Sequence, residues 1–255
     1  MNYLTAVHTD IGIRKSTNQD SVYAETADTD HGEVAMAVVC DGMGGLAKGE
    51  VASAVLIRDF VHWFHCQFPA MLYGGIEADT LRKSWEEVIR KANTRIAGYG
   101  RKKGVSLGTT VVAALLVNGV YYIINVGDSR TYLISDSIVQ LTRDQTVVQR
   151  EMEMGRMTPE EARVSPQRNV LLQCVGASDV IAPDFYVGEY KRDQVFMLCS
   201  DGFRHVISPS EFYERLNPFR MRTERSMQEN AVYFTELNKA RNESDNISVV
   251  LIRAC

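Results

Sequence analysis

Cysteine is scarce in this chain: Cys40, Cys66, Cys174, Cys199 and Cys255 are odd in number, widely scattered, and nowhere form a CxxC-like pair. That spacing excludes a disulfide framework and the common zinc sites, and it makes a reducing, cytoplasmic compartment the expectation. Proline is also sparse, with six scattered residues, and no repeat, low-complexity tract or Pro/Gly/Ser linker interrupts the sequence. One domain over 1–255 is therefore expected. A basic excess is missing as well. The net charge is −4, so the field that nucleic-acid binding depends on is absent. The first residues, MNYLTAVHTDIG, lack the basic and then apolar order of a signal peptide. The one long apolar stretch, TTVVAALLVNGVYYIINV (109–126), is split by Asn118-Gly119 into two β-branched and aromatic runs. Such a split predicts a hairpin of buried strands and not a helix in lipid, so neither a membrane nor a nucleic acid is an expected partner.

What is present describes a globular protein. Hydrophobic residues make up 45% and charged residues 24% of 255 positions, enough to bury a substantial core. Apolar runs predict strands at 34–40, 110–117, 120–126, 130–134, 195–200 and 247–253, several of them apolar throughout, as in sheets covered on both faces. Helical spacing predicts a helix over 48–66, with Val51, Ala52, Val55, Val61 and Phe64 as its apolar face. A second follows over 79–97, through Leu81, Trp85, Val88, Ile89, Ala92 and Ile96, and a third over 223–240. Strands outnumber helices and are joined by tight turns. The expected class is α+β, with antiparallel sheets inside and helices outside.

Four aspartates punctuate those strands. Asp41 follows the apolar run in VAMAVVCDGMGG, Asp128 follows YYIINVG, Asp201 follows VFMLCS, and Asp245 precedes ISVVLI. Any one of them reads as a turn residue. Four at the ends of buried strands read differently, because converging carboxylates repel one another and burial adds a desolvation cost. Divalent cations remove both penalties. An all-oxygen donor set points to Mg²⁺ or Mn²⁺ over Zn²⁺. Two such ions about 3.5–4 Å apart activate a water and clamp both oxygens of an in-line phosphoryl displacement. The glycines after Asp41 leave room for a backbone carbonyl, such as that of Gly42, to join the ligands.

Eight segments in order reinforce this chemistry: TDIGIRKSTNQDS, VVCDGMGG, LGTTVVAALL, INVGDSRTYLI, QLTRDQT, RNVLLQCVGA, VFMLCSDGF and SDNISVVLI. Together they span nearly the whole chain and resemble the protein phosphatase 2C (PPM) family of metal-dependent Ser/Thr protein phosphatases, in its bacterial-type branch. The resemblance implies an α-β-β-α sandwich, two central antiparallel sheets flanked by helix pairs. It also implies hydrolysis of phosphoserine and phosphothreonine monoesters by direct attack of a metal-bridging hydroxide. Asp41 would bridge two Mn²⁺ or Mg²⁺ ions with help from the Gly42 carbonyl, Asp201 and Asp245 would complete the pair, and Asp20 would lie in or just behind the shell. Asp128 would hold a third ion, and residues 145–180 would form a flap beside the site. Arg14 or Lys15 would meet the phosphate, the guanidinium bidentately or the ammonium as a point charge. Met43 stands where eukaryotic relatives have a His, and Gln145 and Ser165 replace common flap histidines. The implied partners are phosphorylated proteins, those of a Ser/Thr kinase, with the phosphatase itself a monomer in the cytoplasm.

Competing readings of the same residues are weaker. In CSDGFR, four residues separate Cys199 from Arg204 where a thiol phosphatase loop has five, so Cys199 reads as a buried strand residue. His62, His65 and Cys66 share a helix without a second pair of ligands at zinc spacing. The basic run at 90–104 interleaves with an apolar helical face and reads as a solvated helix end. GMGGLAKGE lacks the GK[ST] ending of a nucleotide-binding loop. Two non-identical fates of the same fold stay open, a regulatory module without catalysis and a hydrolase of small phosphoesters.

Overall fold

The computed structural model of the protein describes residues 1–44 and 48–255. Gly45, the last glycine of DGMGG, and the Leu46-Ala47 that follow it lie outside the described residues. The chain opens with β1 (Tyr3–Asp10), β2 (Ser21–Thr29), β3 (Gly32–Cys40) and β4 (Gly42–Gly44). Helices α1 (Gly49–Cys66), α2 (Phe68–Gly74) and α3 (Ala78–Lys103) follow, and then β5 (Leu107–Thr109), β6 (Val111–Val117), β7 (Val120–Val126), β8 (Arg130–Ile134) and β9 (Ile138–Gln140). Short helices α4 (Val147–Glu153) and α5 (Pro159–Val164) precede β10 (Asp184–Glu189) and β11 (Val195–Cys199). The last elements are α6 (Asp201–Arg204), α7 (Pro209–Leu216), α8 (Glu224–Ala240) and β12 (Ile247–Ala254).

Ten strands form two five-stranded sheets, in the orders β1-β12-β11-β8-β9 and β10-β7-β6-β3-β2. Every pairing within them is antiparallel. Alternation along β3 shows how the layers separate. Val34, Met36 and Val38 face α1 and α3, where Leu56, Phe60, Trp63, Trp85 and Ile89 cover them. Ala35, Ala37 and Val39 face the other sheet and meet Phe196, Leu198, Val250 and Ile252. On the far side, Met197, Cys199, Val249 and Leu251 pack under Phe203, Phe212, Met227 and Phe234 of α6, α7 and α8. Each strand of this kind buries both faces, which is why its sequence is apolar without a break. The arrangement is the α-β-β-α sandwich that the resemblance implies.

The apolar stretch at 109–126 is the β6–β7 hairpin, and Asn118 turns it at φ 50°, the left-handed region that Asn tolerates. Among the described residues no helix is long and apolar enough to cross a membrane. The face expected for α1 needs correction: its fully buried line is Ala52, Leu56, Phe60 and Trp63, while Val51 and Val55 are half-buried at its edge. The aromatic residues win the core because each removes more apolar area from water than a valine does. Helix α3 runs beyond 97 to Lys103, and its basic last turn, Arg101 to Lys103, lies exposed before Gly104 ends it. That placement favours the helix through its dipole. In the 145–180 segment, Thr158 caps α5 with Glu161 in a reciprocal box.

Candidate metal centre

Antiparallel pairing brings the aspartates together. Ser21 of β2 pairs with Cys40 of β3, so Asp20, just before one strand, lies beside Asp41, just after the other. In the second sheet Cys199 pairs with Val249, so Asp201 after β11 neighbours Asp245 before β12. Asp128 sits on the crossing from β7 in one sheet to β8 in the other, at the same end. The positions of Asp20, Asp41, Asp128, Asp201 and Asp245, five residues spread over 225 positions of sequence (245 − 20), therefore share one end of the sandwich.

Backbone contacts fix each one. The Asp41 N–H donates to Thr110 Oγ1 at 3.0 Å, and the Asp41 carbonyl accepts from Thr110 N at 2.9 Å and Thr109 Oγ1 at 3.0 Å. The LGTT segment thus clamps the residue after β3. A side chain at Gly42 would overlap the carbonyl oxygens of Gln19 and Gly49, so only glycine lets these three backbones meet. With its amide nitrogen turned toward Gly42, Gln19 donates to that carbonyl at 3.2 Å and accepts from Gly49 N at 3.2 Å. Gly202 works alike at the opposite sheet, where a Cβ would strike the Asn246 carbonyl. Asn246 in turn donates to the Ile11 carbonyl at 2.9 Å and accepts from Gln19 N at 2.9 Å, tying the 11–19 loop to the start of β12.

The electrostatics follow from this crowding. Burial pushes the Asp41 carboxyl well above the ordinary range, and the charges of Asp20, Asp201, Asp128 and Asp245 push it further. Burial raises Asp20 to about 7, with Asp201 and Asp245 adding to it while Ser200 and Ser248 pull the other way. Those hydroxyls do not complete a bond, for among the described residues neither Asp20 oxygen has a hydrogen-bond partner, and Asp201 Oδ1 has none either. Buried carboxylate oxygens without donors are rare in proteins and costly. An all-oxygen set in that condition fits a hard divalent cation. Among the described residues no three acidic or histidine side chains already close around one point; the carboxylates border a common region, and Lys15 enters it from outside. Its ammonium lies 2.7 Å from Asp245 Oδ1. Burial alone would lower the Lys15 pKa, but the bond to Asp245 and the charges of Asp41 and Asp201 raise it. Arg14, the other phosphate-binding candidate, is exposed, as Lys15 itself is. A groove of about 520 Å³ between α1 and α3, lined by Asp59, His62, Glu87 and Arg95, contains none of these aspartates.

The family model for protein phosphatase 2C matches residues 12–240. The chain belongs to the protein phosphatase 2C family. The serine/threonine phosphatase Stp of Listeria innocua is 31% identical over 219 residues, 84% of this chain and 82% of that protein. The crystal structure of the Mycobacterium tuberculosis serine/threonine phosphatase PstP/Ppp is similar with a TM-score of 0.82 and 31% identity, over 99% of this chain and 98% of that one. A structure of the PstP catalytic domain in complex with two manganese ions has a TM-score of 0.79 and 27% identity, over 98% and 97%.

Several residues at this end of the phosphatase sandwich escaped the sequence reading. His205 sits between two acids, with Nε2 3.3 Å from Asp201 Oδ2 and Nδ1 3.4 Å from Glu243 Oε2. Arg130 grips Asp144 through two bonds of 2.7 Å, and Arg204 reaches both Asp144 and Asp128. The signal for Arg130 and Asp144 lay in GDSR and LTRD, where the opposite charges are 14 residues apart and meet only once β8 and β9 pair. Gln145, at the base of the 145–180 segment, accepts from Gly127 N and Gln173 Nε2, each at 2.8 Å. Its amide fastens that segment next to Asp128. Cys199 is fully buried, and burial pushes its thiol up to about 12, so it is no nucleophile. On α1, His62 Nδ1 lies 3.5 Å from Cys66 Sγ, and His65 meets Glu25 at 3.1 Å.

Proposed function

We propose that this chain is a Mn²⁺- or Mg²⁺-dependent phosphatase of phosphoserine and phosphothreonine in proteins, working through two ions held by Asp41, the Gly42 carbonyl, Asp201 and Asp245. Asp20 would stand in or just behind that ligand set. The observation that carries the reading is the charge environment of Asp41, where the strongest influences beyond burial are four other carboxylates. Bound there, a pair of divalent cations would activate a water at neutral pH and neutralise phosphoryl oxygens as charge develops.

The chain's own residues do the remaining work. Asp41, pinned through its backbone by Thr109 and Thr110, would be a ligand of both ions. His205 lies between Asp201 and Glu243, within ion-pair distance of each, and braces the Asp201 carboxylate from one side. Asn246 keeps the 11–19 loop against β12, which holds Lys15 within reach of the site. Lys15 is on a flexible stem and exchanges Asp245 for the phosphate of a substrate. Its position supports Lys15 over Arg14 for that role. Residues 145–180, anchored by Gln145 and by the mutual bonds of Val175 and Thr109 (2.9 Å each), form the flap that meets the substrate protein. A cytoplasmic monomer opposing a Ser/Thr kinase is the setting that the five free cysteines accommodate.

Release of phosphate from a phosphothreonine peptide in Mn²⁺, abolished by chelator and by Asp41→Asn, is the expected result. Turnover that survives both would overturn the reading. Turnover confined to small aryl phosphates would restrict it to a small-ester hydrolase.

A further inference from the structure

The resemblance expects a third ion at Asp128, and the side chains around that residue do not fit one. Resting on the metal-dependent reading above, we propose that Arg204 is the resident cation of Asp128, so that the centre takes two divalent ions and a guanidinium fills the place of the third. Arg204 Nη2 donates to the Asp128 carbonyl at 2.9 Å and lies 3.4 Å from Asp128 Oδ2. The same nitrogen is 3.5 Å from Asp144 Oδ2. The backbone oxygen of Asp128 and one of its two carboxylate oxygens are thereby engaged by one donor. A dication binds carboxylate oxygen at about 2.0–2.6 Å. At Asp128 Oδ2 it would stand against N–H hydrogens that point at that oxygen, with like charge opposing it.

Arg204 is not free to withdraw. Its side chain is 11% accessible and that of Asp128 is 8% accessible. Asp144 holds it from the other side, and Arg130 fixes Asp144 with a bidentate grip. The sequence reason is local. Asp201 and Arg204 lie three residues apart on the single turn α6, so one turn presents an acid toward Asp41 and a base toward Asp128. Arg204 is thus a positioning residue that couples the two, and no divalent ion is needed to keep Asp128 in place.

The test is the Mn²⁺ count of the metal-stripped full chain, read by equilibrium dialysis with metal analysis and by Mn²⁺ paramagnetic resonance. Two ions are expected in the unaltered chain, two in Asp128→Asn, and three in Arg204→Met, where Asp128 is released to bind. A count of three that falls to two in Asp128→Asn overturns this inference and leaves the phosphatase reading intact. A folded Arg204→Met that still binds two also overturns it. If Arg204→Met does not fold, Asp128→Asn decides alone, since an unchanged count means that Asp128 holds no ion. No saturable binding in the unaltered chain would remove the metal reading and this inference together.

Discussion

Two groups of buried acids lie side by side at the end of the sandwich and behave in opposite ways. Asp144 is buried, yet its carboxyl stays below the ordinary range because Arg204 and Arg130 outweigh the burial. Asp41 and Asp20 are raised by burial and by the acids around them, and Lys15, the cation at the rim, is bonded to Asp245 instead. Within one low-dielectric region, the chain bonds its own cations to the first group, and among the described residues it bonds none to Asp41 or Asp20. The first group is therefore finished architecture. The second is an acid set completed from outside, and a divalent cation is what its geometry and donor chemistry suit.

Breaking the finished group should cost the most. Asp144→Asn leaves Arg130 and Arg204 buried and under-compensated, and unfolding in denaturant should show a loss of about 3–5 kcal/mol. Asp41→Asn should do the reverse to metal-stripped protein: it removes a carboxylate that its neighbours repel, so the thermal midpoint rises, while phosphopeptide turnover in Mn²⁺ is abolished. A midpoint that falls instead would mean that Asp41 is stabilised by partners in the protein.

A pH series sharpens the contrast without mutation. At pH 5 folded Asp20 still binds a proton that the unfolded chain has lost, so more protons are bound when folded and stability falls as pH rises toward about 7. Asp128, also raised to about 7, adds to the fall. The contributions of Asp144 and Glu243, whose carboxyls are lowered, are complete by the ordinary carboxylate range and do not mask it. Chelated protein should lose on the order of 2 kcal/mol per group between pH 5 and 7, and saturating Mn²⁺ should remove the Asp20 share of the slope while leaving that of Asp128. The smallest effect belongs to Lys15, whose ion pair is 41% accessible on the lysine side. Lys15→Met should leave stability within about 0.5 kcal/mol, yet lower kcat/KM for a phosphopeptide about tenfold. Arg14→Met should change neither; if it alone lowers kcat/KM, the two residues exchange roles.

The strands divide in the same instructive way. The six that the apolar runs predict, β3, β6, β7, β8, β11 and β12, are the interior strands of the two large sheets. The four that gave no clear signal, β1, β2, β9 and β10, are their edges. An edge strand is half-covered and carries polar residues such as Glu25, Thr26 and Asp28 of β2, so its apolar pattern is diluted. Helix α7 went unread because it is a two-turn element, although Ser208 and Glu211 cap it as a box.

The sequence alone determined the interior strands, the glycines that allow close backbone approach, and the acids at the strand ends, because apolar runs and turn chemistry are local properties. Tertiary structure decided which acids keep a counter-charge. Arg204 meets Asp128 across 76 residues and Lys15 meets Asp245 across 230 (245 − 15). Such pairs depend on where strands end in space, and a carboxylate's charge state depends on burial and neighbours that no stretch of residues reveals by itself.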